Sequence, residues 1–194
     1  QPGLMGLVLA TRNAHKVREL GGLLPGHTIV PLGDDVVLPP ETGSTFAENA
    51  LGKARAAAVA TGEPAIADDS GICVAAFGGE PGVRSARWAG EDATDAENLA
   101  LLLRSVPEGG DLEYVCVIAF VDAASGREET FEGRCAGVMT TAPRGTGGFG
   151  YDPAFVPVDE GSGRTMAELS AVEKDAISHR GRAARALRSW LTTH

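Results

Sequence analysis

The stretch that most constrains this chain is residues 64–77, PAIADDSGICVAAF, in which two adjacent acids sit between two apolar runs. Pro64 to Ala67 reads as a buried strand and Ile72 to Phe77 as a second, with a tight turn expected at Gly71. Asp68 and Asp69 therefore stand where a core meets something polar. Two ionised carboxylates against a core without partners are strongly unfavourable, so they need water, a cation or a shared proton. Two readings stay open from the residues alone. Asp, Ser and Gly are ordinary turn formers. Paired carboxylates also suit Mg²⁺, which takes one or two of them and fills its shell with water and phosphate oxygens.

Other segments carry chemistry of the same kind. Leu4 to Ala10 reads as a buried strand that runs into the polar turn Thr11-Arg12-Asn13-Ala14-His15-Lys16. A helix follows, with Val17, Leu20, Leu23 and Leu24 on its apolar side. A strand, a polar turn and a helix N-terminus make a phosphate site in many α/β proteins, although no Walker A pattern is present. Helix capping by Thr11 or Asn13 explains the same residues. His27 to Leu32 reads as a strand, and the loop after it carries Glu41, suited to a metal site or to a helix N-terminus. Thr45 to Thr61 reads as a helix with a capping box, Thr45 with Glu48, and a small-residue face of Ala50, Ala54 and Ala58. Lys53 on this helix is either solvated or turned toward the acid pair.

The second half reads as a helix over 92–105, a hairpin of strands 113–123 and 128–139, and a glycine-rich loop 143–152. Phe149 and Tyr151 on that loop can stack on a flat ring or tuck into the core. A short helix over TMAELS and a terminal helix led by Ser178-His179-Arg180 close the chain. The hairpin makes the expected sheet mixed.

Composition removes several function classes. The formal charge is −9, the wrong sign for a duplex nucleic-acid footprint. No run of about 18 apolar residues exists to span a membrane. The three cysteines, Cys73, Cys116 and Cys135, lack metal-site spacing and read as reduced core residues of a cytoplasmic protein. Residues 1–3 read as a disordered lead-in without a signal peptide, ahead of one compact unit of two lobes.

Taken together, TRNAHK (11–16), ETGSTFAENALGKARAAA (41–58), AIADDSG (65–71), GGEPGVRSARWAGEDATDAENL (78–99), GTGGFGYDPAF (145–155) and TMAELSAVEKDAISHRGRA (165–183) resemble the inosine/xanthosine triphosphate pyrophosphatases. The resemblance implies an α/β fold: a long mixed sheet flanked by helices, two lobes with a central substrate cleft, and a homodimer. It implies Mg²⁺-dependent hydrolysis of ITP, dITP and XTP to the monophosphate and pyrophosphate. Asp69 matches the proton acceptor and a metal ligand, with Asp68 ordering the site and Glu41 a second metal ligand. Thr11, Arg12, Asn13, Ala14, His15 and Lys16 match the triphosphate turn, joined by Lys53 and Ser70. Phe149, Gly150, Tyr151 and Asp152 match the base-binding loop. Lys174, Ser178, His179 and Arg180 match the base-reading end, with Arg87 a further contact. Arg12 stands where many members have glycine, and Tyr151 where some have tryptophan.

Overall fold

The computed structural model describes residues 5–194. The expected lead-in at residues 1–3 lies outside the described residues, as does Leu4 of the first strand. Among the described residues, six strands form one mixed sheet in the order β2-β1-β3-β4-β5-β6. They are β1 (Gly6–Leu9), β2 (Thr28–Pro31), β3 (Ala65–Val74), β4 (Asp111–Asp122), β5 (Arg127–Met139) and β6 (Phe155–Pro157). β1 pairs in parallel with β2 and with β3, while β6 runs antiparallel to β5 at the far edge. The helices are α1 (Ala14–Leu23), α2 (Phe46–Thr61), α3 (Asp95–Ser105), α4 (Ala171–Ile177) and α5 (His179–Leu191).

Local signals fix most of these elements. Thr45 and Glu48 close a capping box on α2, and Gly62 ends the helix in the left-handed region at φ 72°. Thr94 and Glu97 do the same at the start of α3. Ala50, Ala54, Ala57 and Ala58 are all fully buried, so α2 can lie close against the sheet residues Val8, Ala10, Ala65, Ala67, Val117 and Ala119.

Two expectations are corrected. β3 is one continuous strand through Asp68, Asp69, Ser70 and Gly71, with no turn at Gly71; the chain reverses later, around Gly78 and Gly79. Side chains from distant segments hold the buried acids, so the acids need no turn to reach water. The TMAELS segment is only a short 3-10 turn, Met166–Glu168, because Ser170 already caps α4.

The chain divides into two compact units, and each has its own core. The first comprises residues up to Asp69, Cys116–Gly133 and Ala183–His194. Leu7, Leu9, Leu20, Ile66, Ile118 and Leu187 fill one side of its sheet, and the alanines of α2 cover the other. The second comprises Ser70–Val115 and Arg134–Arg182, with a core of Ile72, Leu102, Tyr114, Met139, Phe155 and Met166.

Candidate active site

Each unit gathers one cluster of the residues singled out above. In the first unit, β3 delivers Asp68 and Asp69 at 0% and 4% exposure. α1 brings Lys16, whose ammonium lies 3.2 Å from Asp68 Oδ2. α2 brings Lys53, which donates to the Asp68 carbonyl at 2.6 Å and to Glu41 Oε1. Asn49, one turn before Lys53 on the same face, donates from Nδ2 to Asp69 Oδ2 at 2.9 Å. Its Oδ1 in turn accepts the Gly43 N–H at 2.8 Å, which fixes which end of the amide faces the acid. A side chain at 43 would strike Asn49 Oδ1, since a Cβ there would lie 2.6 Å away.

Electrostatics follow from this crowding. Burial first, then the Glu41 charge, push the Asp69 carboxyl up to about 6; the Asn49 amide and the two lysines pull the other way. For Lys53, burial disfavours the ammonium, but Asp68, Glu41 and Asp69 outweigh it and the net shift is upward. Among the described residues no three His, Cys, Asp or Glu side chains converge as a metal cage. Glu41 and Asp69 nonetheless suit Mg²⁺, which needs only one or two carboxylates, and the charge felt between them is what a cation would relieve.

The turn before α1 does structural work. Asn13 Oδ1 accepts the backbone N–H groups of His15 and Lys16, and Thr11 Oγ1 accepts that of Asn13. Arg12 reaches back to the carbonyls of Leu32, Gly33 and Val36, pinning the loop that leads toward Glu41. Ala14 and His15 form the first turn of α1, and His15 meets the Arg18 guanidinium at 2.7 Å.

The second unit assembles the base-end residues. Arg180 is 1% exposed and donates to Ser70 Oγ at 2.8 Å. Its guanidinium carbon lies 5.6 Å from the centroid of the Phe149 ring, and the Lys174 ammonium lies 4.9 Å from it. Lys174 also pairs with Asp152 Oδ2 at 2.8 Å. Tyr151 is buried and donates to the Ser85 carbonyl; Gly150 turns the loop at φ 61°. Ser178 Oγ accepts the Gly181 N–H at the start of α5. Arg87, the further contact expected from the resemblance, pairs with Glu91 at 3.7 Å, four residues on.

Two residues stand in these clusters that the sequence did not single out, Asn49 and Tyr114. The four-residue spacing of Asn49 from Lys53 was the available signal for the first. Tyr114 gives no signal, being one aromatic in an apolar strand.

A lysine-flanked acid pair in one unit and a cationic aromatic cluster in the other can be set beside known proteins. The family model described as the Ham1 family matches residues 7–190. The chain belongs to the Ham1 family. A relative from Symbiobacterium thermophilum named dITP/XTP pyrophosphatase is 55% identical over 181 residues, covering 91% of this chain and 90% of the relative. One of the same name from Streptomyces coelicolor is 50% identical, covering 93% and 94%. Among solved structures, a Ham1 protein from Coxiella burnetii superposes with a TM-score of 0.87 at 40% identity, covering 98% of this chain and all of that one. This chain keeps the Ham1 fold and, on it, the mixed sheet and flanking helices expected from its sequence.

Proposed function

We propose that this Ham1 protein hydrolyses the triphosphates of deaminated purines, dITP, ITP and XTP, to the monophosphate and pyrophosphate. The names of the relatives support the substrate class. The observation that carries the chemistry is Asp69, buried and oriented by Asn49 in a cluster with buried Lys53 and half-buried Lys16.

The residues act in a definite division of labour. Asp69 takes the proton of the attacking water. In the metal-free chain its carboxyl is pushed up to about 6, which leaves it mostly ionised, and so able to accept a proton, at neutral pH. Lys16 and Lys53 meet a triphosphate that carries about four negative charges, stabilising the charge that builds on the departing pyrophosphate. Glu41 and Asp69 would hold Mg²⁺, which when bound adds charge neutralisation at the phosphate oxygens.

In the second unit, Phe149 offers a stacking face, and Lys174, His179 and Arg180 offer donors to the 6-oxo group of hypoxanthine or xanthine. Adenine presents an amino donor there, so the same groups would face a mismatch that leaves buried donors unsatisfied. The resemblance further supports a cytoplasmic homodimer, and light scattering on purified protein tests the assembly. No helix among the described residues is long and apolar enough to cross a membrane.

The test is phosphate release from ITP, dITP, XTP, GTP and ATP, with and without inorganic pyrophosphatase, and with and without Mg²⁺. Release from the inosine and xanthosine nucleotides that needs both the helper enzyme and Mg²⁺ is expected. Release without the helper would mean γ-phosphate hydrolysis, and none from any purine would overturn the substrate class.

A further inference from the structure

Tyr114 sits within β4 at 5% exposure, and three contacts tie it to the base-end cluster. Its ring stacks on that of His179, with centroids 4.5 Å apart and planes 16° from parallel. It also stacks on Phe155 at 4.2 Å. Its hydroxyl donates to Asp152 Oδ1 at 2.9 Å.

Asp152 is the hub of the loop. Its Oδ2 accepts the Phe149 N–H at 3.0 Å and the Lys174 ammonium at 2.8 Å, so both carboxylate oxygens hold donors. Gly148 has φ +65°, and a Cβ there would lie 1.9 Å from Asp152 Oδ2. The carboxylate is thus packed directly on the loop backbone that carries Phe149. Movement of Asp152 would carry with it both the aromatic platform and the lysine whose ammonium lies 4.9 Å from that ring. A buried tyrosine needs some acceptor for its hydroxyl. This one uses the carboxylate that fixes the platform, while its ring face fixes the imidazole beside it.

We propose that Tyr114 is a positioning residue for purine selectivity: its hydroxyl, through Asp152, sets Phe149 and Lys174, and its ring, by stacking, sets His179, in the arrangement that distinguishes a 6-oxo from a 6-amino purine. This rests on the base-reading role proposed above. Tyr114 does not touch the nucleotide; it acts through residues that do.

The decisive variant is Tyr114→Phe, which keeps both ring stacks and removes only the hydroxyl. Steady-state kinetics with ITP and ATP are compared for the wild type, Tyr114→Phe, Asp152→Ala, the double variant and Phe155→Leu. Loss of one hydrogen bond to a charged acceptor is expected to lower kcat/KM for ITP about tenfold, through KM with kcat within about twofold. The ATP value should stay the same, so the ITP/ATP preference falls by the same factor. The double variant should be no worse than Asp152→Ala, because the hydroxyl has lost the group it acts through. Phe155→Leu disturbs the core beside Tyr114 but spares the hydroxyl, and should keep the preference.

A merely structural tyrosine would lower stability and reduce both nucleotides alike. An unchanged ITP/ATP ratio in Tyr114→Phe, or additive losses in the double variant, overturns the inference. If Tyr114→Phe melts below the assay temperature, Asp152→Asn reads the same ratio, and an unchanged preference there overturns it equally. Failure of the wild type to cleave ITP would instead refute the pyrophosphatase reading, and this inference with it.

Discussion

At the residue scale, Asp69 joins stability to activity with opposite signs. Its carboxyl holds a proton more tightly in the folded chain, at about 6, than an unperturbed aspartate does, because of burial and then Glu41. Ionising it therefore weakens the fold. The penalty is absent below the ordinary aspartate pKa, grows as pH rises toward about 6 and is complete above it, where it amounts to about 3 kcal/mol. Asp69→Asn removes that charge and keeps a side chain of the same shape. In metal-free protein at pH 8 it should raise Tm by a few degrees and flatten the pH dependence of Tm between about pH 4 and 6. The same change should reduce turnover of ITP at least about a hundredfold, since the water loses its base. A lower Tm at pH 8 would mean that pairing with Lys16 and Lys53 outweighs burial. The acid pair was legible in the sequence because two charges beside apolar runs are improbable without a purpose. Asn49 was not, because an asparagine within a helix looks the same whether it faces solvent or a buried acid.

At the scale of elements, α2 carries both Asn49 and Lys53, and its first turn is tied to the loop that bears Glu41. Thr45 Oγ1 accepts the Glu48 N–H, while Glu48 Oε2 accepts the N–H groups of Ser44 and Thr45. Thr45→Ala should cost about 1 kcal/mol, a drop in Tm of about 2–4 °C by calorimetry for a chain of this size. Turnover should fall a few-fold as well, because the fraying turn is the one against which Gly43 packs; unaltered kinetics would uncouple the cap from the site. The capping boxes at Thr45 and Thr94 were readable because both partners lie within four residues. β3 was not: its strand continues through Asp68 and Asp69 only because Lys16, Asn49 and Lys53 converge there from two other elements. Local pattern assigns adjacent acids and a glycine to a turn, and only tertiary partners overrule it. The 3-10 turn at Met166–Glu168 shows the same limit, since its Thr165/Glu168 box is a genuine helix start with no room left before the cap of α4.

At the scale of the whole molecule, the charge of −9 opposes a triphosphate, so affinity must come from the local cations. Lys16 and Lys53 are already engaged with Asp68 and Glu41, which argues that phosphate binding depends on Mg²⁺ as well. The chain passes between its two units inside β3, β4, β5 and α5, never through a loop. Free energy gained by binding a nucleotide should therefore stabilise one cooperative transition. In Asp69→Asn protein, which consumes the ligand at least about a hundredfold more slowly, ITP with Mg²⁺ at about 100 times its Kd should add about 2.7 kcal/mol. That corresponds to a rise in Tm of about 5–10 °C for the entire calorimetric peak. ATP should shift it far less, and a chelator should remove the ITP shift. A peak that splits, with only one part moved by ITP, would show that the units melt separately; an equal shift by ATP would remove purine discrimination from the binding step.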